Sequence, residues 1–254
     1  MIGLGVRTLF VKEVRRFLRV PGQTLLSPVI TTALYLLVFG VALGGRVREV
    51  SGVPYLDFIV PGLVMLGVVS NAFLNTSSSM IGMKFGGTIV DLLVTPLRPG
   101  EIVGAMVGAA VTRALAVGLL TWLVAVVATG RAHVAHPVHA LAFPILAAIG
   151  MAAFGLITGI WADNFERINA IPTFVITPLT FLGGVFYDIH VLPDTLATIS
   201  RFNPILYLVE GMRYGLIGTC AVDPNVGLAF LLALDAAAIA ACVAALRTGW
   251  HLRT

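Results

Sequence analysis

Charged residues are spaced along the chain so that long stretches carry none. Residues 20–45, between Arg19 and Arg46, and residues 58–83, between Asp57 and Lys84, contain no Asp, Glu, Lys or Arg. Each run exceeds the ~20 residues a helix needs to cross a ~30 Å hydrocarbon layer, so each predicts a membrane span. Residues 102–130 are apolar apart from Arg113 and predict a third span; residues 132–162, with their His-containing start assigned to a loop, predict a fourth. A fifth, shorter run at 168–187 is interrupted by Pro172 and Pro178, and a sixth at 224–246 carries Asp235 near its middle. Between these two, residues 202–209 and 214–222 are apolar but too short to cross. Set around Asn203-Pro204 and Gly211, they read as re-entrant or interfacial pieces within an outer segment, 188–222.

Ahead of the first span, Val6, Leu9, Phe10, Val14, Phe17 and Leu18 recur at helical spacing, with Lys12, Arg15, Arg16 and Arg19 clustered opposite until Pro21-Gly22 ends the pattern. This predicts an amphipathic helix within 1–21 that lies in the inner interface, its cations among anionic headgroups. A cleaved signal peptide is the rival reading. The apolar run after Arg19 is too long for such a segment and lacks a small-x-small cleavage site.

Composition agrees with a membrane chain. Of 254 residues, 11% are charged and 58% hydrophobic, with a mean hydropathy of +0.99, whereas soluble domains carry about 25% charged residues. Disorder, a collagen-like fibre and a disulfide scaffold are excluded together. The net charge of +4 reads as topology and not as a nucleic-acid footprint. With the N-terminus inside, the inner side holds Arg7, Lys12, Arg15, Arg16, Arg19, Lys84, Arg98, Arg167, Arg247 and Arg253, and the outer side only Arg46, Arg48, Arg131, Arg201 and Arg213. The excess places both termini in the cytoplasm of a multi-pass protein of the cell (inner or plasma) membrane, with 1–254 as a single transmembrane domain.

Catalytic patterns are missing. Neither Lys12 nor Lys84 sits in a Gly-x-x-x-x-Gly-Lys-Ser/Thr loop, and there is no Gly-x-Ser-x-Gly elbow and no His-Glu-x-x-His, so no catalytic residue and no metal ligand is assigned. His133, His136 and His139 share a three-residue spacing, but Pro137 breaks a common helical face and no carboxylate accompanies them. They read as polar loop. An ion-coupled carrier would keep several ionisable groups within its spans; only Arg113 and Asp235 qualify. At 1.5 Å per residue from Glu101 and from Pro224, both fall about 16–18 Å deep, near the midplane. Either the two meet or each faces a wet cavity.

The stretch from Met83 to Glu101 is the most informative. Thr88 and Asp91 form a Thr-x-x-Asp capping pattern before an apolar stretch, Gly86-Gly87 loosens the approach, and Pro96 disfavours helix at Thr95, so about two turns of helix are predicted. Too short to span, this helix carries Ile89, Leu92 and Leu93 and would offer an apolar side to another molecule.

Here the sequence resembles a family. Gly87-Thr88-Ile89, then Asp91-Leu92-Leu93-Val94-Thr95-Pro96-Leu97, then Glu101, is similar to the coupling-helix segment of the type-2 ATP-binding-cassette export permeases, with Val90 where an acidic residue is usual. The resemblance continues through Pro61-Gly62, Phe181 to Tyr187, and Phe202-Asn203-Pro204 to Gly211-Met212-Arg213-Tyr214-Gly215. It implies an all-α membrane protein with an interfacial N-terminal helix, six spans, a short cytoplasmic coupling helix within 83–100 and two short re-entrant helices on the outer side. It further implies a dimer, preferably of identical chains, carrying two copies of a separate ATPase that binds the ATP and Mg; this chain itself would hold no cofactor and be no enzyme. On that basis Thr88, Ile89, Asp91, Leu92, Leu93, Thr95 and Pro96 are the expected ATPase contact, and Asn203, Pro204, Tyr207, Glu210 and Arg213 the expected outer gate. Gly100, Gly104 and Gly108 on the third span, and Gly155 and Gly159 on the fourth, predict close helix contacts. Short outer loops without an aromatic ladder favour efflux of a drug-like or lipid-like substrate. Polysaccharide or lipid-linked glycan export is the alternative, and an ion-coupled carrier or channel the rival from another class.

Overall fold

The computed structural model describes residues 2–42, 49–50 and 52–251; Arg46, Arg48 and Arg253, counted above for orientation, lie outside the described residues. In chain order the helices are α1 (Ile2–Leu18), α2 (Ser27–Ala42), α3 (Tyr55–Phe85), α4 (Ile89–Leu93), α5 (Pro99–Thr129), α6 (Pro137–Trp161), α7 (Phe165–Ile171), α8 (Thr177–Leu182), α9 (Asp194–Arg201), α10 (Pro204–Ile217) and α11 (Pro224–Thr248). The described strands are one two-residue antiparallel pair, β1 (Glu49–Val50) and β2 (Val53–Pro54).

Five helical stretches among the described residues are long and apolar enough to cross a membrane: Gly22–Phe39, α3, α5, α6 and α11. The run expected as a fifth span, 168–187, is helical only to Leu182 and is built from α7, a π turn over Pro172–Ile176, and α8. A second π turn, Gly22–Leu26, leads into α2. Both have one cause. Ser27 and Thr177 each donate their backbone N–H five residues back, to Gly22 and Pro172, and each immediately precedes a proline. Pro28 and Pro178 cannot donate, and their rings crowd the carbonyl four residues earlier, so the helix widens by one residue at that point.

The core is organised on α3, which packs chiefly against α6 and α5. Small residues let the helices approach. A side chain at Gly155 would run into the Phe73 carbonyl, and one at Gly159 into Met80 and Ser77, so the small face of α6 lies directly on α3. The corresponding face on α5 is not used in this way within the chain. Gly100 and Gly104 have open space before them, and only Gly108 meets a neighbour, Phe10 of α1 at 3.5 Å. Helices α2 and α11 stand at the periphery with apolar side chains such as Ile30, Leu34, Leu37, Val226 and Leu232 turned outward, as hydrocarbon contact requires.

One end of the bundle carries α1, α4 and the α6–α7 connection. There Lys84 Nζ donates to the carbonyls of Ile160 and Ala162 at 2.9 and 2.8 Å, closing the last turn of α6 with a cation. At the other end Arg131 pairs with Asp57 at 2.6 Å, and the backbone of Ala135 and His136 bonds to Leu216 and Gly215 of α10. Helix α10 runs antiparallel to the first part of α6, Gly215 against Ala140 and Gly211 against Phe143. Its 14 residues rise only about 21 Å, less than a crossing.

Candidate functional site

Three groups of residues stand out. The first is the connection from α3 to α5. Gly87, at φ +69°, turns the chain out of α3. Thr88 itself has helical angles and makes no side-chain cap bond, because a residue must be extended to aim its hydroxyl at the first free amides. The expected Thr-x-x-Asp cap is therefore not formed, and α4 has five residues instead of about two turns. It is closed from its far end, where Thr95 Oγ1 donates to the Leu92 carbonyl at 2.6 Å. Ile89 and Leu92 are buried, anchoring α4 to the bundle, while Val90, Leu93 and Val94 are 58%, 42% and 75% exposed. Thr88, Asp91 and Pro96 are also exposed, and Thr95 is half-buried. A cleft of about 760 Å³ separates α4 from α1, with Thr8, Leu9 and Lys12 on one wall and Asp91, Leu92 and Leu97 on the other.

The second group was not legible as a unit. Glu13 of α1 is 1% exposed; its Oε2 accepts from Ser79 Oγ at 2.7 Å and from Arg16 Nε at 3.0 Å. Arg16 Nη2 donates to the Asn75 carbonyl at 2.6 Å and to its Oδ1 at 3.2 Å. Arg113 of α5 reaches the same asparagine at 3.5 Å and donates to Asn71 Oδ1 at 2.9 Å. A polar chain thus runs from the amphipathic helix through α3 to the buried arginine of α5. Its signal in the sequence is the spacing Leu9, Glu13, Phe17, a carboxylate on an otherwise apolar stripe, together with Asn71 and Asn75 one turn apart in a span. The amphipathic helix accordingly does not keep all its cations outward: Arg16 is drawn into the bundle.

Asp235 is not part of that chain. Its carboxyl lies against Gly150 of α6, and among the described residues no ion pair joins it to Arg113. The two intramembrane charges are therefore separate, Arg113 held by asparagines and Asp235 beside α6.

The third group is the α9–α10 hairpin. Asn203 caps α10, its Oδ1 accepting from Ile205 N at 3.0 Å, and its Nδ2 donates to the Leu179 carbonyl at 2.6 Å; Pro204 fills the first helical position. Tyr207 donates to the Arg201 carbonyl at 2.9 Å. Glu210 and Arg213, one turn apart, form an ion pair with each only 2% exposed. Arg213 Nη2 also donates to the Gly184 carbonyl at 2.7 Å, and Glu210 Oε2 accepts from the Ala221 amide at 2.7 Å. The guanidinium lies 3.9 Å over the Phe58 ring. These charges fasten the hairpin to α3 and do not form a solvated rim. Tyr214 stacks on His136 at 4.2 Å, and no cluster of three potential metal ligands occurs among the described residues.

Apolar helices long enough to cross a membrane around α3, a short anchored helix at one end and a locked hairpin at the other define an all-α, multi-pass membrane protein. The chain matches the ABC-2 type transporter family over residues 5–217, from α1 through α10, and belongs to that family. It is 41% identical over 219 residues to the inner membrane transport permease YadH of Escherichia coli (strain K12), covering 85% of this chain and 84% of that protein. The protein of the same description from Shigella flexneri matches equally. Nodulation protein J of Rhizobium leguminosarum bv. trifolii is 29% identical over 201 residues, covering 79% of this chain and 76% of its own. The chain is thus a membrane permease of an ABC transporter, in a family of transmembrane subunits that implies an ABC ATPase partner.

Proposed function

We propose that two copies of this chain form the pathway of an ATP-driven exporter and that two ATPase subunits, carrying the ATP and Mg, dock on the α3–α5 connection. The observation that carries this reading is the division of α4. Ile89 and Leu92 are buried in the permease, while Val90, Leu93 and Val94 stay exposed on a helix too short to cross, and an exposed apolar patch of this kind fits a protein contact. Thr88, Asp91, Thr95 and Pro96 border it. In this arrangement residues 165–182 act as the fifth of six spans, both termini are cytoplasmic, and the α9–α10 hairpin is the outer re-entrant segment gating the exit. Drug-like or lipid-like molecules are the favoured cargo, since the crossing helices enclose apolar cavities.

The test is purification of the tagged chain from its native host in a mild detergent. An ATPase that co-purifies at equal stoichiometry, with hydrolysis depending on the permease, is the expected result. A chain that elutes alone and moves solute in vesicles on an ion gradient without ATP would establish the carrier reading instead.

A further inference from the structure

The cavity between α6, α8, α10 and α11 has a volume of about 280 Å³ and walls that are aliphatic or aromatic except at one point, the Asp235 carboxyl. Asp235 is 6% exposed, and its Oδ2 has no hydrogen-bond partner. Gly150 keeps the place for it, since any side chain there would collide with Oδ1. Among the described residues no cation forms an ion pair with it. Arg213 on α10 is paired with Glu210, Arg167 on α7 with Asp163, and Arg113 on α5 is held by Asn71 and Asn75. An unpaired carboxylate in hydrocarbon is costly and is retained where it has a partner to meet. The rim residues Phe154, Val175 and Leu234 are exposed, so the cavity opens sideways through apolar side chains, as a ligand arriving from lipid would need.

We propose that this cavity binds a lipophilic cation, with Asp235 as its counter-charge. Apolar walls take up the body of the ligand, and the single carboxylate selects the sign. The inference deepens the export reading by naming a cargo class and rests on it only for the direction of movement; binding itself needs no ATPase.

The test uses the full chain in nanodiscs of neutral lipid, with tetraphenylphosphonium as probe and tetraphenylborate as its anionic counterpart of the same shape. Saturable binding of tetraphenylphosphonium at one site per chain is expected, at least tenfold weaker in Asp235→Asn, with no saturable binding of tetraphenylborate. A second measurement needs no variant: dicyclohexylcarbodiimide should label the peptide containing Asp235 in the native chain, and tetraphenylphosphonium should protect it. Equal binding of both ions, undiminished binding in Asp235→Asn, or labelling unaffected by the cation would overturn the proposal and leave an apolar slot for lipid. Loss of ATPase co-purification with cation binding intact would instead remove the export reading and keep the site.

Discussion

Ser79 of α3 donates a 2.7 Å hydrogen bond to the Glu13 carboxylate of α1, so the amphipathic helix is tied to the central helix by a buried polar contact as well as by its apolar stripe. Glu13→Ala would leave Ser79 Oγ and Arg16 Nε without the acceptor they share and is expected to destabilise the purified permease by about 1.5–3 kcal/mol. Arg7→Ala on the exposed face should stay within about 0.5 kcal/mol. Thermal unfolding in detergent checks both, and equal effects would mean that α1 is not held by this contact.

Arg113 and Asp235 sit in different surroundings, and a double-mutant cycle reads that directly. Losses from Arg113→Ala and Asp235→Ala should add to within about 0.5 kcal/mol, whereas Arg113→Ala and Asn71→Ala, which remove two ends of one bond, should couple by about 0.5–3 kcal/mol. Coupling between Arg113 and Asp235 would contradict their placement.

The buried Glu210–Arg213 pair predicts an asymmetry. Arg213→Met leaves a buried carboxylate without its cation and should cost about 3–5 kcal/mol, while the double variant Glu210→Leu/Arg213→Met should recover much of that loss. Melting temperatures of the three proteins decide the point; a double variant no better than the single would mean that the Gly184 and Ala221 bonds, and not the ion pair, hold the hairpin.

The parts of this fold that were legible before the structure are those written in long stretches. Charge-free runs mark the crossing helices because a membrane admits few other sequences. The broken helix over 165–182 was half legible: Pro172 and Pro178 announce an interruption, but not that the chain would absorb it as a π turn. Gly155-Gly159 and Gly100-Gly104 show the same spacing, yet only the first meets α3, since spacing marks a face without saying what lies opposite. At α4 the residue types were readable and the facing was not. Five residues hold little more than one turn, so no periodicity separates the buried Leu92 from the exposed Leu93. Glu13 was hidden by the reverse effect, a single charge overruled by the strong apolar pattern around it.

The two cysteines test topology. Cys220 lies in the α10–α11 connection, half-buried, whereas Cys242 is buried with its Sγ 3.2 Å from the Ala153 carbonyl. A membrane-impermeant maleimide should label Cys220 on intact cells and spare Cys242. Burial, then the nearby Glu210 and Asp223 carboxylates, holds the Cys220 thiol above its ordinary range. Because the thiolate is the nucleophile, the labelling rate should keep rising beyond about pH 8.5, where an ordinary thiol is already half ionised. A plateau below that pH, or labelling only after lysis, would contradict the environment or the orientation respectively.

The division of α4 separates two neighbouring leucines that the sequence alone treats alike. Leu92 is buried against the bundle beside the α1 cleft, whereas Leu93 is 42% exposed next to Val90 and Val94. Leu92→Asp would place a charge inside the permease and should lower its own stability, seen as reduced yield and an earlier melting transition, before any partner is considered. Leu93→Asp would leave the permease folded, because its carboxylate remains in water, but would have to be desolvated when an ATPase covers it. Leu93→Asp should therefore elute as the native chain does, melt within about 2 °C of it, given a stability change within about 0.5 kcal/mol for a surface substitution, and lose at least tenfold in ATPase co-purification. Leu93→Ala should retain most of the association, since it removes contact area without adding a charge. If Leu93→Asp keeps its ATPase while Leu92→Asp folds normally and loses it, the docking face lies on the α1 cleft side of α4, opposite to the exposed residues.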